Sequence, residues 1–169
     1  MLITGASQGG VGAETAISLA HGNPKHLILA GRSEDKSIPV IEEIQKINPQ
    51  IKVEFVHIDL SSQASVRKAA ADINKALEKL DILINNAAIM ACPYSKTEDG
   101  IESQFATNYL GPFLLTNLLL GKMVAAGPEA RIVNVTSTAN SIGKIKIDDY
   151  NFQVRLTSWI KEDKSQLLS

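Results

Sequence analysis

The sequence of 169 residues contains one cysteine, Cys92, so no internal disulfide can form and a framework of bridges is excluded. Its three histidines, His21, His26 and His57, fall on different predicted elements without cysteine or carboxylate clusters at ligand spacing, so no metal site is indicated. Charge of one sign is lacking as well. With 17 Lys+Arg against 18 Asp+Glu, the formal charge of −1 removes the bulk attraction that a nucleic acid or an anionic membrane surface would need. No uninterrupted apolar run approaches the roughly 18 residues of a membrane span. The opening MLITGAS has neither the basic nor the apolar region of a secretory leader. These absences predict a chain without a membrane span in a reducing, cytoplasmic compartment.

What is present is 44% apolar residues over a length that supports one core but not two ordinary domains. Short runs rich in Ile, Val and Leu alternate with longer segments of helical period, the pattern of βαβ units. Strands are predicted at Met1–Thr4, His26–Ala30, Lys52–His57, Leu80–Ile84 and Arg131–Val135, each apolar on both faces, as strands covered by helices on either side require. Helices are predicted near 11–22, 37–48, 62–78 and 98–126, the third capped by Ser61 or Ser62. Crossovers of this length are right-handed and yield an α/β fold, a doubly wound parallel sheet. The segment 98–126 contains Gly111-Pro112 and Gly121 and is expected to kink or split. Beyond Ser137 the periodicity decays, and 154–169 reads either as a short amphipathic helix or as a poorly ordered tail. The expected organisation is one incomplete domain over 1–153 and a divergent tail over 154–169.

After the first strand, the turn from Thr4 to Gly12 carries Gly5, Ser7, Gln8, Gly9, Gly10, Val11 and Gly12 before a helix begins. Glycines let backbone approach a diphosphate, and a helix N-terminus offers unpaired N–H groups and partial positive charge. Phosphate is therefore predicted over Ser7 to Gly12, although a glycine turn between strand and helix can also be only a turn. At the end of the second strand stands Arg32. A guanidinium there favours NADP, whose 2′-phosphate it can engage through two N–H groups, over NAD, which is usually met by an acid. A solvated arginine, with Glu34 and Asp35 close by, is the competing reading.

Further stations follow in order: Asp59-Leu60 after the third strand, Asn85-Asn86-Ala87-Ala88 after the fourth, Asn108 within FATNYLG, and Val133 to Ser137 ending the fifth. With the glycine turn, these segments resemble the short-chain dehydrogenase/reductase family over roughly residues 1–153. The resemblance implies a Rossmann-type sheet of strand order 3-2-1-4-5, here lacking the family's C-terminal strands and helices. It implies NADP (NADPH) as cofactor, with Asp59 and Leu60 flanking the adenine and Asn86, Ala87 and Ala88 lining the central cleft. One departure lies in the turn, where pairing Gly5 with Gly10 leaves four residues between them instead of the family's three, so Gly9 or Gly10 is an insertion.

By the same resemblance, Ser137 matches the serine that hydrogen-bonds the reacting oxygen, and Asn108 the asparagine that organises a helix and a proton-relay water. The family's remaining pair, a tyrosine and a lysine four residues later, is missing: Tyr94, Tyr109 and Tyr150 are followed at that spacing by Glu98, Phe113 and Val154. Tyr150 stands thirteen residues after Ser137, a common family spacing, but its context DDYNF reads as loop. The segment is similar to the retinol-dehydrogenase-like branch, in which the catalytic tyrosine comes later, and the lost match beyond Gln153 suggests a chain cut short. An open edge on the fifth strand and a doubtful oligomer are the expected consequences.

The resemblance thus implies an NADP-dependent oxidoreductase interconverting a carbonyl and a secondary or primary alcohol, with a small-molecule partner that is small and apolar or retinoid-like. A catalytically inactive nucleotide-binding fragment or a cofactor-sensing regulator is the alternative left by the missing pair. Cys92, with no histidine placed near it, is read as a bystander.

Overall fold

Aliphatic residues on both faces of a short strand require cover from both sides, and β1 (Leu2–Thr4) has it: Leu2, Ile3 and Thr4 are all buried. A computed structural model describes residues 1–141 and 147–153; the predicted tail lies outside these described residues. In it β1 pairs in parallel with β2 (His26–Gly31) through Leu2↔Ile28 and with β4 (Ile82–Asn85) through Leu2↔Leu83. Outside these run β3 (Lys52–His57) and β5 (Arg131–Asn134), giving the expected parallel order β3-β2-β1-β4-β5.

Alternation along β1 sorts the core into two layers. Ile3 points to the face covered by α1 (Val11–Ala20) and α2 (Ile38–Ile47), where Ala13, Ala16 and Ala20 let α1 lie close to the sheet beside Val40 and Ile44. Leu2 points to the opposite face, covered by α3 (Gln63–Ala76) and α5 (Gly111–Ala126). There Val66, Ala69, Ala70 and Ile73 meet Leu115, Leu119 and Met123, spacings of three and four that set one helix face inward. Ser62 caps α3, its hydroxyl accepting from Ser65 N at 3.3 Å.

The predicted helix 98–126 is divided. A three-residue turn α4 (Ser103–Phe105) leads into a π-helical turn, Ala106–Leu110, and only then into α5, which starts at Gly111-Pro112 and runs through Gly121 unbroken. The helical stretch Ser103–Ala126, 24 residues, is long and apolar enough by composition to cross a membrane. That corrects the expectation that no segment approaches this length, which counted only uninterrupted apolar residues and stopped at Thr116, Asn117 and Lys122. In this fold the stretch supplies core residues on one face. β4 begins at Ile82 instead of Leu80, because Leu80 is a buried anchor whose amide donates to Lys122 O at 2.9 Å.

Among the described residues β5 pairs only with β4, and Ile132, Val133 and Val135 are 40, 44 and 48% exposed. The opposite edge is closed by charge: on β3, Glu54 accepts from His26 Nε2 at 2.8 Å and pairs with Lys52. Burial holds the His26 pKa below 6.5 and outweighs the raising effect of Glu54, while the hydrogen bond from Lys52 holds Glu54 below the usual carboxylate value. A depressed histidine pKa means that the unfolded chain binds the proton more readily, so stability is full above pH 6.5 and falls as pH drops below it. Glu54 adds loss in the same direction at lower pH. The urea midpoint should therefore fall between pH 7.5 and 5.5, and less steeply in His26→Gln; equal slopes in both proteins would count against His26 as the origin.

Candidate active site

The C-terminal ends of β1 and β4 meet where the strand order reverses, the place at which open α/β sheets form a crevice. Thr4 at the end of β1 is the first fastener there: its Oγ1 accepts from Asn86 N and Ala87 N, each at 3.0 Å. Asn86 returns the contact, Nδ2 donating to Thr4 O at 2.9 Å and to Gly5 O at 3.3 Å. The turns after β1 and β4 are thereby locked to each other.

The glycines are where this lock leaves no room. Gly5 has φ +74°, and a Cβ on it would lie 2.8 Å from Ala87 Cα. A Cβ on Gly12 would lie 2.5 Å from both Asn86 Nδ2 and Gly5 O. Gly10 is the N-cap of α1 without a side-chain cap, so the first amides of the helix keep the N-terminal donors that an anion would use. Gly9, at φ +77°, bulges into open space, which accommodates the extra residue of the turn.

From this turn a cleft of about 310 Å³ runs across the ends of β2 and β3. Of the residues singled out by sequence, Gly5, Ser7, Arg32, Asp59, Leu60, Ala87 and Ala88 line it. Gln8, Gly10, Val11 and Gly12 do not, and Asn86 lines the adjoining groove instead. Gln8 is exposed and its amide donates to Lys36 O at 2.9 Å, Val11 is 69% exposed on the α1 side, and Gly12 and Asn86 form the packed floor of the turn. Sequence reasoning missed Ser33, Lys36, Ile89 and Thr107, which complete the walls. The position of Lys36, four residues after Arg32 at the approach to α2, was the one available signal. Glu34 and Asp35, the acids feared to weaken the local potential, are not among the lining residues.

A second groove, about 750 Å³, continues from Ala87 and Ala88 to the end of β5 and contains both Asn108 and Ser137. Asn108 sits in the π-helical turn and fixes the strand beyond β4 reciprocally: Oδ1 accepts from Ile89 N and Nδ2 donates to Ile89 O, both at 2.8 Å. A π turn at such a position re-aims one side chain out of the regular helical row. Tyr109 lines the same groove, its ring stacked between Phe105 and Phe113 at centroid distances of 5.4 and 6.2 Å. On the wall, Asn85 Nδ2 donates to Thr116 Oγ1 at 3.0 Å and to Asn134 Oδ1 at 2.9 Å. Asn85 Oδ1 is buried without a partner among the described residues. Tyr150 packs on Phe105 and is absent from the lining of this groove.

The donor set fits a dinucleotide: an uncapped helix N-terminus behind a glycine cradle, two cations, Arg32 and Lys36, between β2 and α2, and a largely apolar groove with Asn108 and Ser137 in its lining. No group of three or more His, Cys, Asp or Glu side chains suited to a metal occurs among the described residues.

Comparison with known proteins agrees with this geometry. The family model described as short chain dehydrogenase matches residues 1–151. Retinol dehydrogenase 13 of Mus musculus is 44% identical over 157 residues, an alignment covering 92% of this chain and 46% of the relative. Polyprenol dehydrogenase of Homo sapiens is 38% identical over 151 residues, covering 88% and 45%. The chain therefore spans about half the length of the curated relatives it matches. Among solved structures, an uncharacterised protein of Mycobacterium paratuberculosis superposes with TM-score 0.73 at 39% identity, covering 90% of this chain and 51% of that one. A 3-oxoacyl (acyl-carrier-protein) reductase of Agrobacterium tumefaciens with NADP bound gives 0.69 at 26% identity, covering 89% and 57%.

Proposed function

The chain belongs to the short-chain dehydrogenase family, and from that premise we propose that it is the NADP-binding part of an oxidoreductase interconverting a carbonyl and an alcohol. The observation that carries the cofactor choice is the pairing of Arg32 with Lys36, beside Ser33, in the cleft that also holds Gly5 and Asp59. Two cations between β2 and α2 suit a 2′-phosphate, and Glu34 and Asp35, the acids beside them in sequence, do not line the cleft, where the acid is Asp59 after β3. Two structural relatives with NADP in their descriptions, at 25 and 26% identity, support the same choice.

A bound nicotinamide coenzyme would supply or accept the hydride. The first amides of α1 would hold the diphosphate, Arg32 and Lys36 the 2′-phosphate, and Asp59 and Leu60 would flank the adenine. In the adjoining groove the Ser137 hydroxyl would donate to the reacting oxygen, and Asn108 would keep the wall around Ile89 in place. Fluorescence titration tests the assignment: Arg32→Ala should weaken NADPH about 10- to 100-fold, the loss of charge-assisted hydrogen bonds, and leave NADH nearly unchanged. An NADPH preference that survives the substitution would remove Arg32 from the assignment.

The substrate class proposed rests on similarity to particular relatives. Retinol and polyprenol dehydrogenases, at 38–45% identity, point to an apolar alcohol or its aldehyde or ketone. The setting proposed is cytoplasmic, without a nucleic-acid partner and with Ser103–Ala126 serving as a core helix. The absence of any tyrosine followed four residues later by lysine favours a second reading, binding without turnover. Loss of a positioned general acid lowers a rate by about 10²- to 10⁴-fold. NADPH oxidation with a panel of aldehydes and ketones would favour the enzyme, and binding with no oxidation the inactive module.

A further inference from the structure

The loop between β4 and α4 reaches the start of α3 through two carboxylates. Ser62 Oγ donates to Glu98 Oε1, and the amide of Gln63, the first residue of α3, donates to Asp99 Oδ2 at 2.8 Å. Gln63 N–H is one of the donors that a helix start leaves unpaired, and a carboxylate there is favoured by the helix dipole as well. The start of α3 is thus capped twice, once by its own Ser62 and once by a loop more than thirty residues away.

That helix start continues the adenine-side wall. Asp59 Oδ1 accepts from Ser61 N at 2.9 Å and from Ser61 Oγ at 2.7 Å, while Asp59 N donates to Ser65 Oγ at 2.9 Å. The first turn of α3 is thereby tied to Asp59, which lines the cleft beside Leu60.

The loop leads from there to the reaction groove. Thr97 and Ile101 close it by a backbone bond of 2.8 Å, and Asn151 clamps it, Oδ1 accepting from Glu102 N at 2.8 Å and Nδ2 donating to Gly100 O at 3.2 Å. Glu102, 2% exposed, turns its carboxylate onto the amides of Gln104 and Phe105 at 2.9 and 2.7 Å and so starts α4. Five residues of π turn follow directly, with Asn108 in their middle.

We infer that Glu98 and Asp99 are positioning residues that couple occupancy of the adenine end of the cleft to the order of the loop 95–102 and, through Glu102, to the seating of Asn108. The inference rests on the cofactor assignment above. A ligand that binds the formed Asp59–Leu60 wall favours the capped start of α3, hence the docked loop; linkage requires that loss of the carboxylates weaken that ligand by the same factor.

Adenosine 2′,5′-bisphosphate is the probe, because it lacks the nicotinamide half. On its addition to the wild-type chain, amide hydrogen exchange over 95–102 is expected to slow. In the double variant Glu98→Ala/Asp99→Ala its affinity should fall roughly three- to tenfold, the usual worth of a helix cap, and the slowing should vanish. Asp99→Asn alone, which keeps an oxygen to accept from Gln63 N, should retain both. A purely structural cap would lower the melting temperature while leaving affinity and ligand-dependent exchange unchanged. Binding with no change over 95–102, or undiminished affinity in the double variant, overturns the inference alone; failure of the wild-type chain to bind overturns the cofactor assignment and the inference with it.

Discussion

Replacing Gly12 with alanine is expected to cost about 100-fold or more in NADPH affinity, together with about 1–3 kcal/mol of stability. The added methyl would stand 2.5 Å from Asn86 Nδ2 and 2.5 Å from Gly5 O, well inside contact distance. Neither neighbour can step aside. Asn86 Nδ2 is committed to Thr4 O and Gly5 O, and Gly5 is itself pressed on Ala87. The start of α1 must therefore lift away from the turn, and the amides that would meet the diphosphate move with it. Losing two charge-assisted hydrogen bonds, at about 1.5–3 kcal/mol each, accounts for the affinity change. Gly9→Ala is the control: nothing lies within 4 Å of it, so only its φ of +77° resists, at about 1 kcal/mol, and binding should persist. Paired titrations and melts decide the matter. Equal NADPH affinity in Gly12→Ala and wild type would exclude this cradle as the diphosphate site.

The fold was legible because the residues that make it are local. Leu2-Ile3 buried on both faces, the glycines after them, and the Ser62 cap each announce an element from a few neighbouring residues. The parts of the site that stayed hidden depend on convergence of distant segments. Lys36 and Thr107 look like ordinary helix-flanking residues until the chain brings them to the cleft that Arg32 enters. Asn86 reads as a lining residue and does line the second groove, but its amide is also a latch under the glycine turn, a role visible only once β1 and β4 are adjacent. The carboxylates Glu98 and Asp99 fall at the start of the helix predicted over 98–126, whereas they belong to the loop before α4 and their partners lie 36 residues away in sequence.

Gly111 is the sharpest instance of such concealment and gives the second large effect. From sequence it marks a kink or split beside Pro112; in the structure it is the point at which α5 touches Leu60 in the turn after β3. A Cβ on Gly111 would lie 2.3 Å from Leu60 O and 2.9 Å from Leu60 Cβ. Its φ of −61° is ordinary for a helix, so the obstacle is contact alone. A backbone carbonyl cannot rotate out of the way as a side chain does, and α5 would have to shift outward, drawing Leu115 and Leu119 away from the core. Gly111→Ala is accordingly expected to destabilise by about 2–3 kcal/mol even after the gain in helix propensity, lowering Tm by about 4–12 °C. Gly121, in the same helix, has nothing within 4 Å, and there alanine should stabilise by up to about 1 kcal/mol and raise Tm by about 2–4 °C. Opposite signs from the same substitution in one helix isolate the Leu60 contact, because propensity alone would move both melts upward. Because Leu60 also lines the cleft, the Gly111 variant should bind NADPH more weakly than the Gly121 variant when both are titrated well below their melting temperatures. Melts shifting in the same direction would show that α5 does not lie on Leu60.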